Sequence, residues 1–266
     1  MREQRSVRKK SVLRHAAALV VFAVVSALIF LIFRPGAGSE PITGEELPLV
    51  LMDQMFGCDD HTAWSLDMFE SFFKGLPVWL FLFLFGSWVY EDWTIDQAYQ
   101  ICRCRSRTAR YLRRCFRLLL FAGAASVIYT AELFLFLEPS FAAIPWTVLA
   151  ESLCRVFLSV CSVCFFFALL QSLISLLYGA SIGFIGASAA WCASFVWVPL
   201  FLYWNRPNSA WQGFVGAYTH AMMGVSGRLS LWMLLLTSLV HDLVFLILGL
   251  VLVRRYDVGL TDKEAI

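Results

Sequence analysis

Residues 90–120 read YEDWTIDQAYQICRCRSRTARYLRRCFRLLL, a run that packs Arg103, Arg105, Arg107, Arg110, Arg113, Arg114 and Arg117 between two stretches apolar enough to cross a bilayer. An arginine at the centre of a spanning helix costs roughly 3 kcal/mol on insertion scales. The segment therefore lies outside lipid and divides one span from the next. Its surroundings set the class: 60% of the residues are hydrophobic and 16% aromatic, against roughly 45–50% apolar in soluble domains. The chain reads as an all-α, polytopic membrane protein, a single transmembrane domain over residues 1–266.

A spanning helix needs about 20 mostly apolar residues, because its backbone must satisfy its own hydrogen bonds in lipid. Working outward from the arginines, six stretches qualify: His15 to Phe33, Leu76 to Tyr90, Leu118 to Leu137, much of Pro145 to Tyr178, Ser181 to Trp204, and Leu231 to Val253. The second is short and the fourth long, so tilt or protrusion is expected of them. The basic start before the first stretch resembles a secretory signal, but the apolar run exceeds a signal core and "RPGAGSEP" is a poor cleavage site. It reads as a retained first helix.

The net charge of +2 hides a strong segregation. Arg2, Arg5, Arg8, Lys9, Lys10 and Arg14 precede the first span, the arginine segment follows the second, and Arg254 and Arg255 follow the sixth. With six crossings these basic segments share one side, which the positive-inside rule makes cytoplasmic together with both termini. Residues 35–75 carry Glu40, Glu45, Glu46, Asp53, Asp59, Asp60, Asp67 and Glu70 against Lys74, and form an acidic outer loop. Residues 205–229 form an outer interfacial or re-entrant segment, since Trp211, Phe214, Val215, Tyr218 and Met222 share one helical face. Leu66, Phe69, Phe72 and Phe73 form a similar face in the acidic loop. The expected location is the cell membrane, with no nucleic-acid partner, because the positive-inside rule already accounts for the arginines.

The arginine segment has internal order beyond its charge. Thr94 and Gln97 have capping-box spacing, and Ile95, Ala98, Tyr99 and Cys102 then fall on one helical stripe. An acidic and aromatic start at Glu91, Asp92 and Trp93, the short helix, and Arg105 to Arg107 followed by Tyr111, Arg113 and Arg114 complete the pattern. This arrangement resembles the first cytoplasmic loop of type-2 ABC exporter permeases, in particular their small six-helix relatives in Gram-positive bacteria. The resemblance implies that residues 91–117 are a coupling segment docking on a separately encoded ABC ATPase. Glu91, Trp93, Tyr99, Arg103 and Arg107 would be its contact residues. It further implies a transport subunit rather than an enzyme, paired with a second permease subunit as a homo- or heterodimer in a bacterial inner membrane. No Gly-x-x-x-x-Gly-Lys-Ser/Thr phosphate loop occurs in the chain, so no cofactor is expected on it and ATP would bind the partner.

Ionisable residues at bilayer depth are functional candidates by default. Glu132, Glu151, Arg155 and Asp242 are such residues, with His241 beside the last. Glu151 and Arg155 stand one helical turn apart, and with Glu132 at similar depth they are expected to form a buried ion cluster joining the third and fourth spans. His241 and Asp242 point about 100° apart and so serve different surroundings.

Two enzyme readings compete. Gly179, Ser181 and Gly183 spell Gly-x-Ser-x-Gly in a stretch that resembles the serine loop of rhomboid proteases, with His241 as the one base at membrane depth. The alternative function is thus a membrane-embedded serine hydrolase, although the same glycines suit close helix packing. Glu151 and Arg155 match part of a Glu-Glu-x-x-x-Arg protease motif, with Ala150 in place of the first Glu. A third reading is a non-transporting scaffold or sensor. No metal site is expected: Cys161 and Cys164 sit in an apolar helix as packing residues, and Cys58, Asp59, Asp60 and His61 read as a solvated loop.

Overall fold

The computed structural model describes residues 2–33, 42–56, 72–90, 107–137, 144–204, 224–225, 227 and 229–255. The described residues are helical, with no strand among them. In chain order they form α1 (Arg2–Ile32), α2 (Leu47–Phe56), α3 (Leu76–Phe81), a π turn (Leu82–Gly86), α4 (Arg107–Leu137), α5 (Trp146–Tyr178), α6 (Ala180–Trp204) and α7 (Leu231–Arg255). Four stretches are long and apolar enough to cross a membrane: Leu13–Ile32, Thr108–Leu137, Trp146–Tyr178 and Leu231–Arg254. Leu76–Tyr90 and Ala180–Ser194 are shorter apolar helices. These are the features of a membrane protein.

Helix ends follow local chemistry. Pro77 falls in the first turn of α3, where its missing N–H leaves no bond unmade. α5 ends at Gly179, whose φ of 93° is a conformation L side chains rarely adopt, and the chain turns there into α6. Ahead of α2 the Thr43 backbone N–H donates to Glu46 Oε2 at 3.1 Å, half of a capping box. That bond holds the exposed Glu46 carboxyl below its ordinary pKa.

α5 is the axis of the molecule, with α4, α6, α7, α3 and its π turn, and α2 all packed against it. It is buried nearly all round through its second half, from Ser162 to Leu176. Ser159, Ser162, Ser172 and Ser175 are among its buried residues. Small side chains of this kind let neighbouring helices come close, which is how helices associate where lipid removes the hydrophobic driving force. By contrast α7 exposes Trp232, Leu236, Leu239, Leu243 and Ile247, and α1 exposes Val20, Val24, Leu28 and Ile32. In a bilayer such faces meet acyl chains.

Two boundaries differ informatively from sequence expectation. The third apolar run does not begin at Leu118: Arg107 already opens a continuous 31-residue helix that includes it. Arginine has high helix propensity, so hydropathy falls there while the helix continues. The second run is interrupted by the π turn, whose cause lies in α5. A Cβ on Gly86 would collide with the Gln171 side chain, which inserts against the turn. With its amide oriented to suit its neighbours, Gln171 donates from its nitrogen to the Leu82 carbonyl at 3.3 Å and accepts from the Ser87 N–H at 3.2 Å. Ser172 Oγ lies 3.3 Å from the Gly86 carbonyl. A buried polar side chain thus adds hydrogen bonds to the backbone of the wider turn.

Candidate functional site

One end of the bundle gathers basic residues from three helices. His15 on α1 packs among Phe85, Trp88 and Phe121, with ring centroids at 6.5, 4.6 and 5.1 Å. The Arg114 guanidinium lies 5.9 Å from the Trp88 ring centroid. Arg254 at the end of α7 is 3.5 Å from Thr108 Oγ1 at the start of α4. Arg14, Arg113, Arg117 and Arg254 are exposed around this aromatic knot. Arg107 is the first residue of α4, while Glu91, Trp93, Tyr99 and Arg103 lie outside the described residues. So do Cys58, Asp59, Asp60 and His61 and the aromatic face from Trp211 to Met222.

Glu132, Glu151 and Arg155 occupy two places instead of the one ion cluster expected of them. Glu151 and Arg155 pair within α5, with Arg155 Nη2 and Nε donating to Glu151 Oε1 at 2.7 and 3.1 Å. Arg155 Nη1 also donates to the carbonyls of Gly224, at 3.2 Å, and Leu229, at 2.5 Å, so it ties α5 to the stretch leading into α7. Glu132 is not part of this pair: it accepts a short hydrogen bond from Ser26 on α1. The helix turn explains the correction. Ser126 donates to the Phe157 carbonyl on α5 at 2.5 Å, and Glu132, six positions on, points roughly 120° away from it. It faces α1, not the Glu151–Arg155 pair.

His241 and Asp242 also diverge. The His241 ring stands edge-on to Phe166 of α5, with centroids 6.4 Å apart. Asp242 lines a groove of about 510 Å³ between α4, α5 and α7. Ser181 is exposed on α6 and is not brought into hydrogen-bond contact with His241. Gly183 instead sits against α5, where a Cβ would collide with Ser175 and lie 2.9 Å from the Gln171 carbonyl. The Gly-x-Ser-x-Gly stretch serves helix contact in this geometry.

Lys74 is a site that sequence reasoning passed over. Its ammonium is buried, donates to the Asp53 carbonyl at 2.9 Å and lies 3.4 Å from Asp53 Oδ1. It also stands 5.8 Å from the Phe33 ring centroid. Lys74 thereby joins the end of α1, α2 and the start of α3 at the end of the bundle away from the arginines. The available signal was a lone lysine in an acidic loop, immediately before an apolar run.

Comparison with known proteins gives no match, whether to a family model, a curated protein or a solved structure.

Proposed function

We propose that the chain is the permease subunit of a type-2-like ABC transporter, acting as an exporter and energised by a separate ATPase that docks on residues 91–117. The observation that carries this reading is the continuity of α4. Arg107, Arg110, Arg113, Arg114 and Arg117 stand on the first turns of the same unbroken helix that runs to Leu137, and that helix packs on α1, α5 and α7. A push on the basic end is therefore delivered as rigid-body motion to the centre of the bundle, the kind of helix shift that switches transporters between arrangements. Gathering Arg14 and Arg254 beside it makes a cationic surface suited to an acidic cleft on a cytoplasmic protein. The chain carries no phosphate-binding loop, so ATP chemistry belongs to the partner. In this reading two permease subunits enclose the path, because one bundle with few polar side chains makes a poor channel.

The test is purification of the tagged full chain from native membranes in mild detergent, with mass spectrometry of co-eluting proteins, beside an Arg107→Glu variant. A P-loop ATPase that accompanies the parent chain and is lost on charge reversal is the expected result. No ATPase even after crosslinking would overturn the reading and leave the scaffold or sensor role. The serine hydrolase role has no supporting contact among the described residues, where no base is within hydrogen-bond reach of Ser181.

A further inference from the structure

We propose that the groove between α4, α5 and α7 binds an amphiphilic amine, with its apolar body along the groove and its protonated nitrogen against Asp242 and Ser238. The groove's volume of about 510 Å³ lies within the roughly 300–1,000 Å³ of small-molecule sites. Its walls are apolar, Leu112, Phe116 and Leu119 on one side and Leu158 and Phe165 on another. On the α7 wall two polar residues interrupt them one helical turn apart, Ser238 and Asp242.

These two polar groups are unsatisfied. Ser238 is 9% exposed, and its Oγ and Asp242 Oδ1 are buried with no hydrogen-bond partner. Asp242 has no ion pair among the described residues. A buried carboxylate without a counter-charge is costly, and at membrane depth more so. A carboxylate only accepts hydrogen bonds and a serine hydroxyl can accept one, so a cation that carries N–H donors suits both groups. A protonated amine meets both demands, whereas an anion would be repelled by the Asp242 carboxylate.

Other occupants fit less well. An acyl chain of a bilayer lipid would fill the apolar walls and leave Asp242 unpaired, because Asp242 lies near the middle of α7 and a lipid headgroup stays at the surface. A second copy of this chain would have to bring a cation to the same depth, and the exposed faces of α1 and α7 at that depth are apolar. The amine site stands whether or not an ATPase docks on the arginine segment, and its test is separate from that one.

The experiment is a titration of the purified full-length chain in non-ionic detergent with dodecylamine and with dodecanol, bound ligand being counted by native mass spectrometry. One dodecylamine per chain is expected, held about tenfold or more tighter than dodecanol, since a hydrogen bond to a charged group is worth about that factor. The comparison uses the unaltered protein and does not depend on any variant folding. In Asp242→Asn, which keeps shape and removes charge, the preference for the amine should vanish while dodecanol binding persists. Equal retention of the two ligands by the parent, or an unchanged preference in Asp242→Asn, would overturn the proposal. So would a dimer that retains no amine and dissociates on Asp242→Asn, which assigns the groove to a second copy.

Discussion

At the scale of single residues, the ion pair in α5 divides unequally between its partners. The Glu151 side chain is 56% exposed and that of Arg155 12%. An exposed pair contributes about 0–1 kcal/mol, so removing Glu151 forfeits little. Arg155 also holds two backbone carbonyls, Gly224 and Leu229, and hydrogen bonds from a charged donor are worth about 1.5–3 kcal/mol each. Arg155→Ala should therefore lower the melting temperature in detergent clearly more than Glu151→Ala, and loosen the stretch before α7 to proteolysis. Equal effects of the two variants would mean that the carbonyl contacts contribute nothing. The pair's i, i+4 spacing was legible in the sequence, but its service to two carbonyls 69 and 74 positions away was not, because carbonyls carry no sequence signal. Glu132 was misassigned for a related reason: depth along a helix is readable from hydropathy, whereas azimuth depends on which neighbour the helix meets.

At the scale of elements, the helices were legible and their irregularity was not. The apolar runs from Leu231 and to Tyr178 end within a few residues of α7 and α5, since hydropathy, Pro145 and Gly179 mark those limits directly. The run Leu82–Gly86 has the same composition whether it winds as α or π, so the π turn depends on a tertiary partner, Gln171. The one glutamine of α5, in the buried second half of that helix, was the available clue, because amides at that depth need partners. Gln171→Met keeps volume and removes both hydrogen bonds to the turn. Each such hydrogen bond contributes about 0.5–1.5 kcal/mol net, so the variant should melt a few degrees lower and exchange the amides of residues 82–90 faster. Were the exchange pattern unchanged, the π turn would be intrinsic to α3 and Gln171 only a filler.

At the scale of the whole molecule, α3 decides how often the chain crosses the membrane. Leu76–Tyr90 rises roughly 22 Å at about 1.5 Å per residue, short of the roughly 30 Å hydrocarbon core. Yet Phe81, Leu82 and Phe85 are buried against the bundle, so this helix is shielded by protein and need not match the lipid thickness itself. Charge argues the same way. If α3 failed to cross, the arginine segment would share a side with the acidic residues before Lys74, against the positive-inside rule. Cys58 and Cys104 flank α3 and report on it. In variants that keep one of them and replace the other cysteines by serine, a membrane-impermeant maleimide applied to intact cells should label Cys58, and label Cys104 only after permeabilisation. Labelling of both from the same side would remove α3 from the count of spans. Labelling of Cys104 alone from outside would put residues 91–117 beyond reach of any cytoplasmic ATPase, and the transport reading would fall with the topology that supports it.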